Sequence, residues 1–227
     1  MKLVRGQGIG IADKGFFPQS PTIDMPVPSV LLFLKSPVPG YVKTRLARDV
    51  GDRAACAVFC ALVERQVAAL PPGWPVEIHF APADAESRIR SWIHGADRYL
   101  PQVEGDLGAR LAAASANAFS RGTGPVFLIG ADCPDLNPDD FYAALDSLAS
   151  GCDAVFGPAR DGGYYLLALK RHTPELFQGI SWSGPQVLRQ SLQRTAKAGL
   201  LTSLLEEKED IDDIHALRRC YPEFEAR

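Results

Sequence analysis

Short apolar runs and amphipathic stretches alternate along the chain after residue 28. Residues 30–34 are apolar throughout, which is typical of an interior parallel strand with both faces covered. Residues 49–70 carry apolar side chains at helical spacing, which predicts a helix with one face packed on a sheet. Residues 76–80 alternate apolar with polar side chains, and this predicts a strand with one face less buried.

The same kind of pattern continues through the rest of the chain. Short strands are predicted at 124–132 and 153–156, and another follows the turn in 157–169. Residues 200–205 are the last apolar stretch. Helices are predicted over residues 84–94, from Leu107 with Asp106 as its cap, from Asn137 or Asp139, and over residues 185–198.

The loop after the first buried strand is the most distinctive stretch, and residues 29–46 read SVLLFLKSPVPGYVKTRL. Pro37 and Gly40 help to hold an extended turn, and residues 43–45 follow where the next helix would present free N–H groups to an anion. Val42 precedes Lys43 where a P-loop needs Gly, and no GxGxxG follows the strand. A phosphate-handling loop and an ordinary turn with solvated basic residues both fit this sequence.

Acidic residues and glycines follow two of the later strands. Asp132 and Asp135 stand where the strand in 124–132 runs out, and Asp161, Gly162 and Gly163 follow the next one. Ligands of open α/β sheets gather at the carboxyl ends of strands, so these positions are suited to chemistry. The structural alternatives are that the two aspartates cap backbone N–H groups and that the glycines form a hairpin turn.

A tryptophan and an acidic run each fit two alternative roles. Trp182 lies in an irregular loop and fits either a pocket wall or a plug for the core. Asp210, Asp212 and Asp213 belong to an acidic run that fits either a solvated helix start or a second source of metal ligands.

Composition narrows the class of protein. The chain of 227 residues is 46% hydrophobic and 22% charged, as globular domains are, and its net charge of −3 gives no sign of a nucleic-acid surface. Five scattered cysteines without a CxxC pair argue against a zinc site and favour a reduced, cytoplasmic setting. No apolar run approaches the roughly 20 residues of a membrane span. We expect a loosely ordered extension over residues 1–27 and a single domain over residues 28–227.

Several ordered motifs make the chain resemble a bacterial family of glycosyltransferases of the arsenosugar-biosynthesis type, long catalogued as a domain of unknown function. The resemblance covers residues 30–217 and rests on KSPVPGYVKTRL, GDLGARL, IGADCPDL, GPARDGGYYLLAL, residues 177–182 and DIDDIHAL. It implies a GT-A-like fold of the nucleotide-diphospho-sugar transferases, which is a three-layer α/β/α sandwich around a mostly parallel, nucleotide-binding sheet.

The resemblance also implies roles for particular residues. Asp161 is the candidate catalytic residue, and Asp132 and Asp212 are the candidate ligands of a divalent cation, Mg²⁺ or Mn²⁺. Two residues separate Asp132 from Asp135, whereas a strict DxD motif has one between its aspartates, so Asp135 is assigned to the substrate instead. The nucleotide-binding candidates are Lys35, Pro37, Gly40, Lys43, Thr44, Arg45, Gly105, Asp106 and Arg110, and the substrate-binding candidates are Asp135, Gly162, Gly163 and Trp182.

Three functions fit these motifs. The first is transfer of a sugar from a nucleoside diphosphate sugar to a small-molecule or lipid acceptor, assisted by the divalent cation. The second is nucleotidyl transfer, because KTRLA after an apolar strand and a Pro-containing loop also resembles phospholactate guanylyltransferases. The third is a nucleotide-binding module without catalysis.

Overall fold

The computed structural model describes residues 9–11, 26–182 and 184–222. Most of the predicted extension over residues 1–27 therefore lies outside the described residues. Its described part includes a two-residue strand, which pairs in parallel with Ile93–His94.

Strands and helices alternate through the described residues. The strands are β1 (Ile9–Gly10), β2 (Ser29–Lys35), β3 (Val76–Ala81), β4 (Ile93–His94), β5 (Arg98–Pro101), β6 (Val126–Ile129), β7 (Ala154–Pro158), β8 (Tyr164–Leu169) and β9 (Thr202–Leu204). The α-helices are α1 (Thr44–Val50), α2 (Asp52–Ala68), α3 (Glu86–Trp92), α4 (Leu107–Ser120), α5 (Pro138–Ala149), α6 (Val187–Lys197) and α7 (Ile214–Cys220), with short 3₁₀ turns at Ala83–Ala85 and Pro174–Phe177.

Seven strands form one sheet in the order β5-β3-β2-β6-β8-β7-β9. Strand β8 is antiparallel to β6 and β7, and the other neighbouring pairs are parallel. Strands β2, β6 and β7 therefore share one direction, and their carboxyl ends meet at one edge of the sheet. This arrangement confirms the predicted mostly parallel α/β/α architecture.

Both faces of the sheet are buried against helices. Alternate side chains of β2 point to opposite sides, so Leu32 belongs to a core cluster with α2 and α5, whereas Leu31 belongs to a cluster with α4. Helices α1, α2 and α7 form a smaller cluster around Leu46. The apolar run in β2 is thus explained by burial on two faces.

The predicted helix over residues 49–70 is interrupted. Helix α1 ends at Val50, and α2 begins at Asp52 after Gly51, whose φ is +82°. The helix predicted over residues 84–94 is shorter than expected, because α3 ends at Trp92 and the next two residues form β4, which pairs with β1. The predicted caps are confirmed, since the side chain of Asp106 accepts from the backbone of α4 and Asn137 forms a capping box on α5.

The prediction that β3 has a less buried face is wrong. Glu77 and His79 are each only 4% exposed, and the imidazole of His79 stacks on the ring of Phe33. The carboxylate of Glu77 contacts the imidazole of His79 at 3.3 Å and the guanidinium of Arg121. Burial opposes ionisation of Glu77, but its hydrogen bond with His79 and the charge of Arg121 outweigh that effect and lower the pKa of Glu77.

Candidate active site

A cleft of about 460 Å³ opens at the carboxyl ends of β2 and β6. Because β2 is paired with β6 in parallel, the loops that follow the two strands lie side by side. The predicted site residues in its wall are Lys35, Lys43, Thr44, Arg45, Arg110, Asp132 and Asp212, and the other lining residues include Phe33, Phe59, Gln102 and Leu107. Basic and acidic side chains from distant parts of the sequence therefore share one cavity.

Lys43 links the basic and acidic sides of the cleft. Its side chain is 4% exposed, and its ammonium pairs with Asp132 and with Asp212, whose Oδ1 lies 3.3 Å from Nζ. The backbone of Lys43 is left-handed, with φ 48° and ψ 44°, immediately before α1 begins. A residue other than glycine rarely adopts this backbone conformation, and it does so where the surrounding contacts stabilise it. Here the two ion pairs of the Lys43 side chain are such contacts.

The segment that carries Asp212 is fixed beside Asp132. The backbone N–H of Ile211 donates to the carbonyl oxygen of Asp132 at 3.0 Å, and Ile211 itself is fully buried. Arg45 adds an outer contact, because its Nη1 lies 3.7 Å from Oδ2 of Asp212. The two aspartates are 80 residues apart in sequence, and this packing brings both to the same lysine.

Asp210 lies near Asp132 and Asp212, and we call these three residues the acidic cluster. Its Oδ1 is buried and has no hydrogen-bond partner among the described residues. Burial and the nearby charges of Asp132 and Asp161 raise the pKa of Asp210 to about 8, although Lys43 opposes the shift. Several carboxyl groups therefore lie close together near this end of the cleft.

Arg110 lines the opposite wall and is held in place by neutral acceptors. Its Nη1 donates to Oε1 of Gln102 at 3.0 Å, and its Nε donates to the carbonyl oxygen of Gly105 at 3.1 Å. The neighbouring candidate Asp106 accepts from the N–H of Ala109 at 2.8 Å and so caps α4. Gly105 and Asp106 thus shape the turn that carries Arg110.

Asp161, Gly162 and Gly163 form the turn between β7 and β8. Asp161 is exposed, and its Oδ1 accepts from the N–H of Gly163 at 2.8 Å. Gly162 has φ +90° and lies so close to the carbonyl group of Pro185 that a Cβ would collide with it. The turn is close to the acidic cluster, since the charge of Asp161 contributes to the raised pKa of Asp210.

The remaining candidates lie outside the lining of this cleft. Trp182 packs against Gly108 in α4 and meets the ring of Tyr164 edge-on, so its contacts are with the core. Pro37 and Gly40 belong to the loop between β2 and α1, where Gly40 has φ +84°.

Asp135 lines a second cleft of about 490 Å³ instead. Lys208 also lies there, and its ammonium donates to the backbone carbonyl of Asp135 at 2.9 Å while it pairs with the carboxylate of Asp140. The structure therefore separates Asp135 from Asp132, although the two are close in sequence.

Comparison with protein families places the chain by sequence. Residues 64–184, just over half of the chain, match a family described as "Uncharacterized protein conserved in bacteria (DUF2064)". The chain belongs to this family. Membership of this family, predicted from the ordered motifs, is thereby confirmed. No curated protein shows significant similarity to this family member.

Solved structures share the fold of this DUF2064 family member. A protein from Desulfovibrio desulfuricans G20, described as a candidate nucleotide-diphospho-sugar transferase, is 32% identical with a TM-score of 0.81, and the match covers 86% of each chain. The 4-diphosphocytidyl-2C-methyl-D-erythritol synthase of Anaerococcus prevotii DSM 20548 is 10% identical with a TM-score of 0.58, over 88% of this chain and 96% of that one. Rv0371c of Mycobacterium tuberculosis H37Rv, solved with manganese, is 16% identical with a TM-score of 0.52, over 88% and 100%.

Sequence reasoning missed one polar residue of the cleft in this family member, which is Gln102. It directly follows β5, and Asp132 comes three residues after the end of β6, so a polar residue close to the end of a short strand was the available signal. The surrounding sequence does not reveal its contacts, because its partners lie 68 and 23 residues earlier in the chain.

Two kinds of feature are absent from the described residues. No three His, Cys, Asp or Glu side chains within residues 9–11, 26–182 and 184–222 form a ready-made metal cluster. None of the helices in the same ranges has the length and apolar character that a membrane crossing needs.

Proposed function

We propose that this protein is a divalent-cation-dependent transferase that moves a sugar from a nucleoside diphosphate sugar to an acceptor. The observation that carries the proposal is the cleft at the carboxyl ends of β2 and β6, where basic and acidic side chains face each other. The similarity to the Desulfovibrio protein supports the same class of donor. The fold by itself does not specify a substrate.

The basic side of the cleft is suited to phosphate oxygens. Lys35 and Arg45 are exposed at the mouth, and Arg110 presents its guanidinium from the wall. A guanidinium can donate two parallel hydrogen bonds to phosphate, and such charge-assisted bonds are among the strongest in proteins. Thr44 adds a hydroxyl and a free N–H at the first residue of α1.

The acidic side fits a cation that prefers oxygen ligands. The carboxylates of Asp132 and Asp212 lie in the lining of the cleft, and the buried Oδ1 of the nearby Asp210 has no hydrogen-bond partner among the described residues. Asp132 and Asp212 would hold the ion, as Mg²⁺ commonly binds one or two carboxylates and completes its shell with water and substrate phosphates. When bound, such an ion neutralises the diphosphate leaving group.

The other residues act on binding and orientation. Lys43 holds Asp132 and Asp212 together and carries a positive charge beside them. Asp161, in its turn after β7, is the candidate for contacting the acceptor, because it is an exposed carboxylate at the same edge of the sheet as the cleft. Gly162 lets that turn lie against the carbonyl group of Pro185, with which a Cβ at this position would clash.

Nucleotidyl transfer is the second candidate. Four cations line the cleft, namely Lys35, Lys43, Arg45 and Arg110, against the carboxylates of Asp132 and Asp212. A surplus of positive charge suits a triphosphate as well as a diphosphate.

Product analysis distinguishes the two candidates. The protein is incubated with Mn²⁺ or Mg²⁺, a panel of nucleoside diphosphate sugars and a panel of small-molecule and lipid acceptors to receive the sugar, and release of nucleoside diphosphate is measured. In parallel it is incubated with nucleoside triphosphates and sugar phosphates, and pyrophosphate is measured. Sugar transfer predicts the first product and nucleotidyl transfer the second, whereas nucleotide binding without either product would identify a non-catalytic module.

Two matched variants test the site. Asp132→Asn should lower turnover by at least about tenfold, since even indirect partners of metal ligands commonly contribute that much. Asp135→Asn is the control, because Asp135 lies in the second cleft and should leave turnover within about twofold of the wild type. Equal losses in both variants would contradict the placement of the site.

A further inference from the structure

Gln102 occupies a junction between two strand ends and helix α4. Its backbone N–H donates to the carbonyl oxygen of Phe80 at 2.8 Å. Its side-chain Nε2 donates to the carbonyl oxygen of His79 at 2.8 Å and to that of Leu34 at 3.2 Å. Both N–H groups of the amide are therefore used on the carboxyl ends of β2 and β3.

These bonds determine which way the amide points. If the side chain were flipped, Oε1 would face two carbonyl oxygens, and three acceptors would meet without a donor. The observed orientation instead directs Oε1 to Nη1 of Arg110, at 3.0 Å. The sheet thus fixes Gln102, and Gln102 in turn fixes one arm of the guanidinium.

Arg110 keeps most of its donors for a ligand. A guanidinium has five N–H groups, and the bonds to Gln102 and Gly105 use two of them, which leaves three among the described contacts. Both Arg110 and Gln102 line the cleft. Because both partners of Arg110 are neutral oxygens, they orient it without cancelling its positive charge, which a carboxylate would do.

We propose that Gln102 is a positioning residue that holds Arg110 ready to bind the phosphate groups of the nucleotide. This inference rests on the proposed function, since it assumes a phosphorylated ligand in the cleft. Arginine otherwise samples many rotamers, and ordering a long side chain on binding weakens affinity by up to about tenfold. Gln102 would remove much of that cost before the ligand arrives.

A double-mutant cycle on binding tests the inference. The dissociation constant is measured by calorimetry with Mg²⁺ for whichever of UDP, GDP, CDP and ADP binds the wild type most tightly. Arg110→Met should weaken binding, and Gln102→Met should weaken it by up to about tenfold. In the Arg110→Met background, Gln102→Met should change the dissociation constant by less than about twofold, because no guanidinium is left to position.

A purely structural role gives a different result. In that case Gln102→Met would weaken binding by the same factor with or without Arg110, and additive losses would overturn the inference while leaving the proposed function intact. An unchanged dissociation constant in Gln102→Met would overturn it as well. Failure of the wild type to bind any of the nucleotides would instead overturn the proposed function, and the inference with it.

A second measurement uses the wild-type protein only. This is useful because Gln102 also joins the ends of β2 and β3, so a variant of it could disturb the sheet. In ¹⁵N spectra of the free wild-type protein, the Nε–H of Arg110 should exchange with water more slowly than that of Arg45. Arg110 Nε is bonded to Gly105 and its guanidinium to Gln102, whereas the Arg45 side chain is 70% exposed. Equally fast exchange would show that Arg110 is not held in place and would overturn the inference.

Discussion

Replacing Lys43 with methionine removes the buried ammonium that joins Asp132 to Asp212. Methionine keeps most of the length and volume of the lysine stem, so the change acts mainly on charge. The two carboxylates, together with Asp210, would then face each other without the cation. We expect this variant to lose stability in the absence of any ligand.

The size of the loss follows from distance and exposure. Two unit charges 3.3 Å apart attract by about 5 kcal/mol at an effective dielectric constant of about 20. The carboxylates are 42% and 46% exposed, so solvent screens much of this, and burying Lys43 costs desolvation energy. A net loss of about 2 kcal/mol remains, which in a chain of this length lowers the melting temperature by roughly 4–8 °C.

Urea and thermal denaturation measure this loss, with Arg45→Met as the matched control. Arg45 contacts the same aspartate, but at 3.7 Å and with its side chain 70% exposed, so the control should change stability by less than about 0.5 kcal/mol. Both variants should weaken nucleotide binding. Equal urea midpoints for the two variants would refute the reasoning that burial makes the Lys43 pair structural.

Three further predictions concern stability. The pKa of Glu77 is lower in the folded than in the unfolded protein. Its contribution to stability is therefore fully present above the unfolded-state pKa near 4.3 and is lost as pH falls through the folded-state pKa. In urea titrations from about pH 7 to 3, Glu77→Gln should make this loss of stability smaller. Gly162→Ala should cost more than about 2 kcal/mol, because a Cβ meets Pro185, whereas Gly122→Ala, with φ +75° and open space, should cost about 1 kcal/mol. Asp213→Ala removes the bond to the Ala216 N–H at 2.8 Å and should cost about 1 kcal/mol by thermal melt.

Each of these has an outcome that would contradict it. An Asp213→Ala protein with an unchanged melting temperature would mean that α7 does not depend on its cap. Similar losses at Gly162 and Gly122 would mean that the turn after β7 can move away from Pro185. An unaltered pH profile in Glu77→Gln would assign acid sensitivity to other carboxylates.

Local features of this protein follow closely from its sequence. The apolar run of β2 required burial on both faces, and Asp106 and Asn137 cap α4 and α5 as their residue types predict. Such features depend on backbone sterics and hydrogen bonds within a few residues, which the sequence specifies directly. The position of Lys43 at the start of a helix was predictable for the same reason.

The contacts between residues that are distant in sequence could not be predicted from local sequence patterns. Asp135 lies nearer in sequence to Asp132 than Asp212 does, yet Asp212 shares Lys43 with Asp132, and Asp135 faces Lys208. Strand order and the packing of residue 211 against the β6 loop decide this, and both depend on the whole chain folding at once.

Burial was the other property that the tertiary structure decided. The alternation in β3 correctly indicated a strand, but Glu77 and His79 are interior, and Arg121 at the end of α4 supplies the charge that pairs with Glu77 there. Likewise, the role of Gln102 depends on the ends of β2 and β3, which place two carbonyl oxygens beside its amide, and the sequence around it does not indicate this. Local patterns in the sequence predicted most of the helices and strands, but not the break at Gly51 or the short strands β4 and β5. The tertiary structure selected which strand ends meet in one cleft, because sheet order joins residues that no local pattern relates.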